Sequence, residues 1–165
     1  MPVTNVTKNI DQRQIVIEAE FAAPQERVWA LYADPRQLEQ VWGPPEFPAT
    51  FVDHSISVGS RCTYYMTGPE GEKFGGYWQI TAVDEPNSFA FDDGFANADL
   101  TPNPEMPTSK NVYAFESIAG GTRLTATSTY ASAEALQQVL DMGVEEGATS
   151  AINQIDAFLR EHASA

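Results

Sequence analysis

The apolar and polar positions of the C-terminal part of the chain fall into one long amphipathic pattern. Leu136, Val139, Leu140, Gly143, Val144, Ala148, Ala151, Ile152, Ile155, Phe158 and Leu159 recur at steps of three, four and one. That is the period of an α-helix with one buried face. Gln137, Gln138, Asp141, Glu145, Asn153, Gln154 and Asp156 fill the opposite face. Ser132 suits an N-cap, Glu134 puts an anion in the first turn and Arg160 a cation in the last, so the ends agree with a helix from Ser132 to Glu161. At 1.5 Å per residue such a helix is about 40 Å long and crosses a small domain. The middle of its apolar face is thin, because Gly143, Gly147, Ala148 and Ala151 stand where Leu or Ile is expected. Each interior Gly costs about 1 kcal/mol relative to Ala. Either the small residues let a sheet approach closely, or they leave room for a cavity between helix and sheet.

Upstream the period changes to two. From Arg13 to Phe21, Ile15, Ile17, Ala19 and Phe21 share one face and Gln14, Glu18 and Glu20 the other, which predicts a half-buried antiparallel strand. Pro24 opens a short helix with Val28, Leu31 and Tyr32 as its apolar stripe. Asp34-Pro35 reads as N-cap and first residue of a second short helix that ends near Trp42, before Gly43-Pro44-Pro45. Six more strands follow, at Ala49 to Ile56, Ser60 to Thr67, Lys73 to Val83, Ser88 to Asp92, Asn111 to Ile118 and Thr122 to Tyr130. Gly68-Pro69-Glu70-Gly71, Glu85-Pro86-Asn87 and Ala119-Gly120-Gly121 supply turns between them. Residues 1–12 read as a loose tail. The aperiodic stretch from Gly94 to Lys110, with Pro102, Pro104 and Pro107, is long enough to be either a lid over one end of the sheet or a plain surface loop.

These elements predict an α+β domain over residues 13–162. A curved antiparallel sheet of about seven strands wraps around the long C-terminal helix, with two short helices after the first strand. No run of apolar residues is long enough to span a membrane. The first eleven residues lack the charged and apolar regions of a signal peptide. The single cysteine, Cys62, excludes an internal disulfide and fits a reducing, cytoplasmic setting. Nine basic residues against 23 acidic ones, a net charge of −14, disfavour nucleic acid and anionic membranes as partners.

Several short motifs stand in a recognisable order. They are Phe21-Ala22-Ala23-Pro24 with Val28-Trp29, then Val41-Trp42-Gly43-Pro44, Ser57-Val58-Gly59-Ser60 and Met66-Thr67-Gly68-Pro69-Glu70-Gly71. Phe115-Glu116, Gly121-Thr122-Arg123-Leu124-Thr125 and Met142-Gly143 with Glu146-Gly147 complete the set. Taken together, over about residues 13–160, they resemble the START/SRPBCC superfamily, the helix-grip fold. The branch is that of bacterial proteins homologous to the C-terminal domain of the activator of heat-shock protein 90 ATPase. The turn at Ser57 to Ser60 departs from the Arg-Pro-Gly-Gly usual in that branch. The resemblance implies a fold and a cavity for lipids, steroids, polyketides or other apolar molecules. A few superfamily members are cyclases.

Candidate chemistry is sparse. Asp53 and His54 adjoin, so in a strand they point to opposite faces and do not form a catalytic pair. His162 falls in the C-terminal end, read as frayed and solvent-exposed, and Cys62 shares a face with Tyr64 and Met66 as a buried thiol. No catalytic residue, metal site or cofactor is expected. The aromatic residues are the stronger lead. Trp42, Tyr64, Met66, Trp78, Phe91, Phe115, Ser128 and Tyr130 from the body, with Met142, Gly143, Gly147 and Ala151 from the helix, are the expected lining of a pocket for a small hydrophobic or aromatic ligand. A co-chaperone-like module that docks a chaperone partner through its acidic surface is the alternative, and a small-molecule cyclase or hydratase a further one. The expected state is a monomer or weak homodimer.

Overall fold

In the computed structural model, which describes residues 2–161, the alternating segments pair into one antiparallel sheet of eight strands. The elements in chain order are β1 (Val3–Asn9), β2 (Gln14–Phe21), α1 (Gln25–Ala33), α2 (Pro35–Leu38), β3 (Ala49–Asp53), β4 (Arg61–Thr67), β5 (Lys73–Asp84), β6 (Ser88–Ala96), β7 (Ser109–Ile118), β8 (Gly121–Tyr130), α3 (Ala133–Asp141), α4 (Val144–Asn153) and α5 (Ile155–Glu161). The strand order is β1-β2-β8-β7-β6-β5-β4-β3, so the chain meanders from β3 to β8 and closes back on β2. The curved sheet and C-terminal helices make the helix-grip arrangement. No helix among the described residues is long and apolar enough to cross a membrane. His162 lies outside the described residues.

The first correction concerns the N-terminus. The segment read as a loose tail contains β1, which pairs with β2 in a register that sets Val6 opposite Ile17 and Lys8 opposite Ile15. Only Val3, Val6 and Asn9 of this strand are partly buried, so its periodicity is too faint to read locally. Its partners come from far along the chain. The Val3 backbone N–H donates to Asn153 Oδ1 at 3.0 Å, and Lys8 pairs with Glu145 at 2.7 Å. The lysine also marks this edge strand with a charge, which discourages further strand addition.

The C-terminal helix is the second correction, because it comes as three consecutive segments rather than one. Ser132 caps α3 as expected, its Oγ accepting from the Ala135 N–H at 3.0 Å. The break after α3 is made by Gly143, whose φ of +87° lies in the left-handed region and which serves as N-cap of α4. A side chain at this position is strained whatever space surrounds it. Gly143→Ala is expected to cost about 1–2 kcal/mol in urea unfolding, whereas a neutral or stabilising result would mean that the left-handed turn is dispensable.

Short-range signals hold elsewhere. Asp34 Oδ1 accepts from the Arg36 N–H at 2.9 Å with Pro35 at the first position of α2. Pro24 sits at the cap of α1 rather than inside it, its carbonyl accepting from the Arg27 and Val28 N–H groups. In β5 a register shift between Ile80 and Ala82 leaves Ala82 exposed although Ile80 is buried, so the alternation that buries Trp78 and Ile80 does not continue to Ala82. The strand β6 runs to Ala96 instead of stopping at Asp92, which shortens the proline-rich loop to residues 97–108.

The helices divide the concave face between them. Val28, Trp29, Leu31 and Tyr32 of α1 are buried, with Trp29 set edge-on to Phe89 and Phe115 at 5.6 and 5.8 Å between ring centres. Tyr32 meets Tyr113 at 5.6 Å. The backbone of α4 approaches β1 and β2. Gln154 Nε2 ties the end of that helix to the Gly43 carbonyl at 2.7 Å. Trp42, next to Gly43, is thereby brought over β5, its ring centre 4.8 Å from that of Trp78.

Candidate functional site

The site grows out of strand register. Directly opposed residues in an antiparallel pair share a face. Cys62 faces Trp78, Trp78 faces Asp93, Asp93 faces Ser109 and Ser109 faces Tyr130, which makes one row across β4, β5, β6, β7 and β8. The neighbouring row runs through Ile80, Phe91, Asn111, Ser128 and Ile15. Both rows point to the concave side, as the burial of Trp78, Phe91 and Ile15 shows. A band of polar side chains therefore lies within a face that is otherwise apolar. Within it Ser128 Oγ donates to Asn111 Oδ1 at 2.6 Å and Asn111 Nδ2 to Ser109 Oγ at 3.0 Å.

Asp93 is the unexpected member. Its side chain is deeply set, yet solvent still reaches it, as it does Ser128 and Trp42. Tyr64 Oη donates to its Oδ1 across a long 3.5 Å. Burial pushes the carboxyl up to about 7, against the opposing pull of the Tyr64 hydroxyl and the Gly94 backbone N–H. The surrounding phenols respond in turn. Tyr64 and Tyr113 are raised well above their ordinary value, first by burial and then by charges that include Asp93. Tyr130 is pushed up to about 12 by burial and by Asp93, with Ser109 donating to it in the opposite sense.

Gly76 explains how the Tyr64 hydroxyl reaches this place. A Cβ at residue 76 would stand 2.5 Å from the Tyr64 Cζ and hydroxyl, so the ring lies across the bare backbone of β5. Two indole N–H groups complete the cluster. Those of Trp42 and Trp78 lie near enough to the Tyr64 hydroxyl to favour its anion, yet neither makes an aligned hydrogen bond, and both nitrogens are buried. The arrangement leaves polar groups unsatisfied in an aromatic setting, which a folded chain normally avoids.

The residues expected to line a pocket separate into four groups. Tyr64, Trp78, Phe91 and Tyr130 are buried on the concave face around Asp93, with Trp42 and Ser128 half-buried beside them. Met66 is half-buried at the end of β4. Phe115 instead packs against Trp29 and Tyr32, under α1. On the helix side, Ala151 is buried, Gly147 is half-buried and Gly143 forms the break, while Met142 is 53% exposed and turned to solvent. Val144, Ala148, Ala151 and Ile155 mark the sheet-facing stripe, and Gly147 lies on its flank. Apart from its chain neighbours and its own helix backbone, no atom stands within 4 Å of where a Gly147 Cβ would be.

His54 does not join this cluster. Its Nε2–H donates to the Tyr32 carbonyl at 2.8 Å, which fixes the tautomer, and burial lowers its pKa. Asp53 is engaged separately, accepting from Thr63 Oγ1 at 3.2 Å. Burial pushes the Cys62 thiol up, so it is a poor thiolate. A separate cleft of about 210 Å³ lies between Ala22, Ala23, Pro24 and Arg27 and the helix residues Asp156, Leu159 and Arg160. It contains none of the concave-face groups.

Asp93 escapes a reading of the sequence because Asp92-Asp93-Gly94 looks like a turn. Continuing the alternation of Phe89 and Phe91 through 93 to Phe95 places one acid on the inward face.

Comparison with known proteins agrees with the architecture. The family model for activator of Hsp90 ATPase homolog 1-like protein matches residues 22–160. A crystal structure of a Mycobacterium smegmatis protein is 65% identical with a TM-score of 0.89, covering 96% of this chain and 97% of that one. A solution structure from Arthrobacter aurescens is 45% identical with a TM-score of 0.92, over 98% and 94% of the two chains. A crystal structure of a Silicibacter pomeroyi protein described as AHSA1 is 25% identical with a TM-score of 0.73, over 90% and 99%. No curated protein matches the chain.

Proposed function

The chain belongs to the family of activator of Hsp90 ATPase homolog 1-like proteins, and from that premise we propose that it binds a small, largely apolar ligand between the concave sheet and α4. The observation that carries this reading is the pair of unpartnered indole nitrogens, Trp42 Nε1 and Trp78 Nε1, beside the long Tyr64–Asp93 hydrogen bond on an aromatic wall. Ligand sites have this composition, mostly apolar walls with a few convergent polar groups that fix orientation. Burying a polar group without a partner costs about 1–3 kcal/mol, so a bound molecule that supplies partners recovers part of that cost. The apolar walls are Trp42, Tyr64 and Ala151, backed by the buried Trp78 and Phe91. The small residues of α4 let its backbone come close to β1 and β2, and in this reading they also leave room over the middle of the sheet.

Gly147→Leu tests this. The new side chain extends from the flank of the sheet-facing stripe into space that holds no atom beyond its own helix and chain neighbours within 4 Å of the Cβ. Helix propensity favours the change by nearly 1 kcal/mol, since an interior glycine is removed. Nile red binding is expected to weaken at least tenfold while the melting temperature stays equal or rises. That combination is not produced by general damage to the fold. Undiminished dye binding in a folded variant removes the pocket from beneath α4.

A further inference from the structure

We propose that the polar end of the ligand is a protonated amine, received by Asp93 and flanked by the rings of Trp42 and Tyr64, with the Trp78–Phe91 stack behind them. This rests on the pocket reading above and adds the class of molecule the pocket takes. The first support is the absence of any counter-ion for Asp93 among the described residues. The chain has nine Lys and Arg residues, and each is engaged elsewhere. Lys8 pairs with Glu145, Arg36 with Glu39, Lys110 with Asp92, Arg123 with Glu20 and Glu116, and Arg160 with Asp156. Arg13 donates to the Ala131 carbonyl, Arg27 to Gln37 and Arg61 to Gln79, while Lys73 lies over the Tyr65 ring. His54 is committed to the Tyr32 carbonyl. Among the described residues, a carboxylate at this position is thus balanced only by a proton or by a cation from beyond them.

The second support is the wall. Trp42 and Trp78 are 4.8 Å apart between ring centres, Trp42 and Tyr64 5.9 Å, and Trp78 and Phe91 4.4 Å. Aromatic faces attract an ammonium group through the negative charge above the ring, and do so more strongly where water is excluded. The third support is that Tyr64 Oη occupies only Oδ1 among the side-chain bonds to Asp93 and does so at 3.5 Å, which leaves acceptor capacity for an N–H donor. An anionic ligand head faces repulsion at the same place. The titratable groups around Asp93 are Tyr64, Tyr113 and Tyr130, all held neutral at physiological pH, so they do not supply a competing charge.

The test uses the full chain and three matched probes: naphthylmethylamine, naphthylmethanol and naphthoic acid. Calorimetric titration at about pH 8, where Asp93 is mostly ionised and the amine still carries its proton, is expected to rank the amine at least tenfold tighter than the alcohol, with the acid weakest. Asp93→Asn is expected to erase the preference for the amine over the alcohol. An alcohol that binds as tightly as the amine to the unmodified chain overturns the amine assignment while leaving the pocket intact, and needs no variant. An amine preference that survives in Asp93→Asn overturns the role of Asp93. Failure of all three probes to bind removes the pocket reading itself and this inference with it.

Discussion

Replacing Asp93 with Asn is expected to raise the stability of the protein at about pH 8 by roughly 2–3 kcal/mol. The carboxyl is held near 7 in the folded chain by burial, against about 4 in an unfolded one. Between those two values the folded state binds more protons than the unfolded state, so its stability falls as pH rises. The advantage of the neutral acid is complete below about pH 4 and is lost by the time pH passes about 7. A tenfold difference in proton affinity between the folded and unfolded chain corresponds to about 1.4 kcal/mol, and the solvent that still reaches Asp93 reduces the total below the full product. Asn keeps the shape and the acceptor for Tyr64 but never ionises. Urea unfolding of both proteins from acid to mildly alkaline pH should therefore give a difference that is small at low pH and grows through the interval. A constant difference across the range would mean that Asp93 titrates as an exposed acid and is not a buried one.

Trp78→Ala is expected to cost about 3–5 kcal/mol, the usual loss for a large aromatic removed from a core. The residue is fully buried in the middle of β5. Its ring stacks on Phe91 at 4.4 Å and meets Trp42, Phe51, His54 and Phe89 at 4.8, 5.8, 5.6 and 6.0 Å. Truncation removes the apolar area and leaves a void that five rings must close around. It also frees Trp42 from its main support, so the segment that Gln154 anchors at Gly43 should loosen. Chemical denaturation gives the size of the effect, and hydrogen exchange of β5 and the Trp42 segment its extent. A loss under about 1 kcal/mol would show that the neighbouring rings collapse into the space without difficulty.

Much of this molecule was legible from local pattern. The strands predicted from Ser60 to Thr67 and from Thr122 to Tyr130 begin or end within one residue of β4 and β8, and the Ser132 and Asp34 caps make the hydrogen bonds their side chains suggested. Gly143 was legible as an anomaly but not as a break. An interior glycine in an apolar stripe looks the same in sequence whether its φ is helical or +87°. The aromatic wall was partly legible, because Tyr64, Trp78, Phe91 and Tyr130 alternate correctly within their own strands. Phe115 alternates as well as they do, yet α1 covers it with Trp29 and Tyr32. Nothing in the local period of β7 says which helix will lie over which end of the strand.

By itself the sequence determined the identity and order of most elements, the inward face of most strands and the family. Those follow from side-chain period and from turn chemistry, which act over a few residues. Only the tertiary structure decided that Val3–Asn9 joins the sheet, since a faintly patterned edge strand depends on β2 and α4 for its partners. It also decided that Asp93 is an acid without a counter-ion among the described residues. That property depends on where nine basic side chains from all parts of the chain end, and on a register that sets Asp93 between Trp78 and Ser109. Long-range pairing creates such an environment, and no window of the sequence contains it.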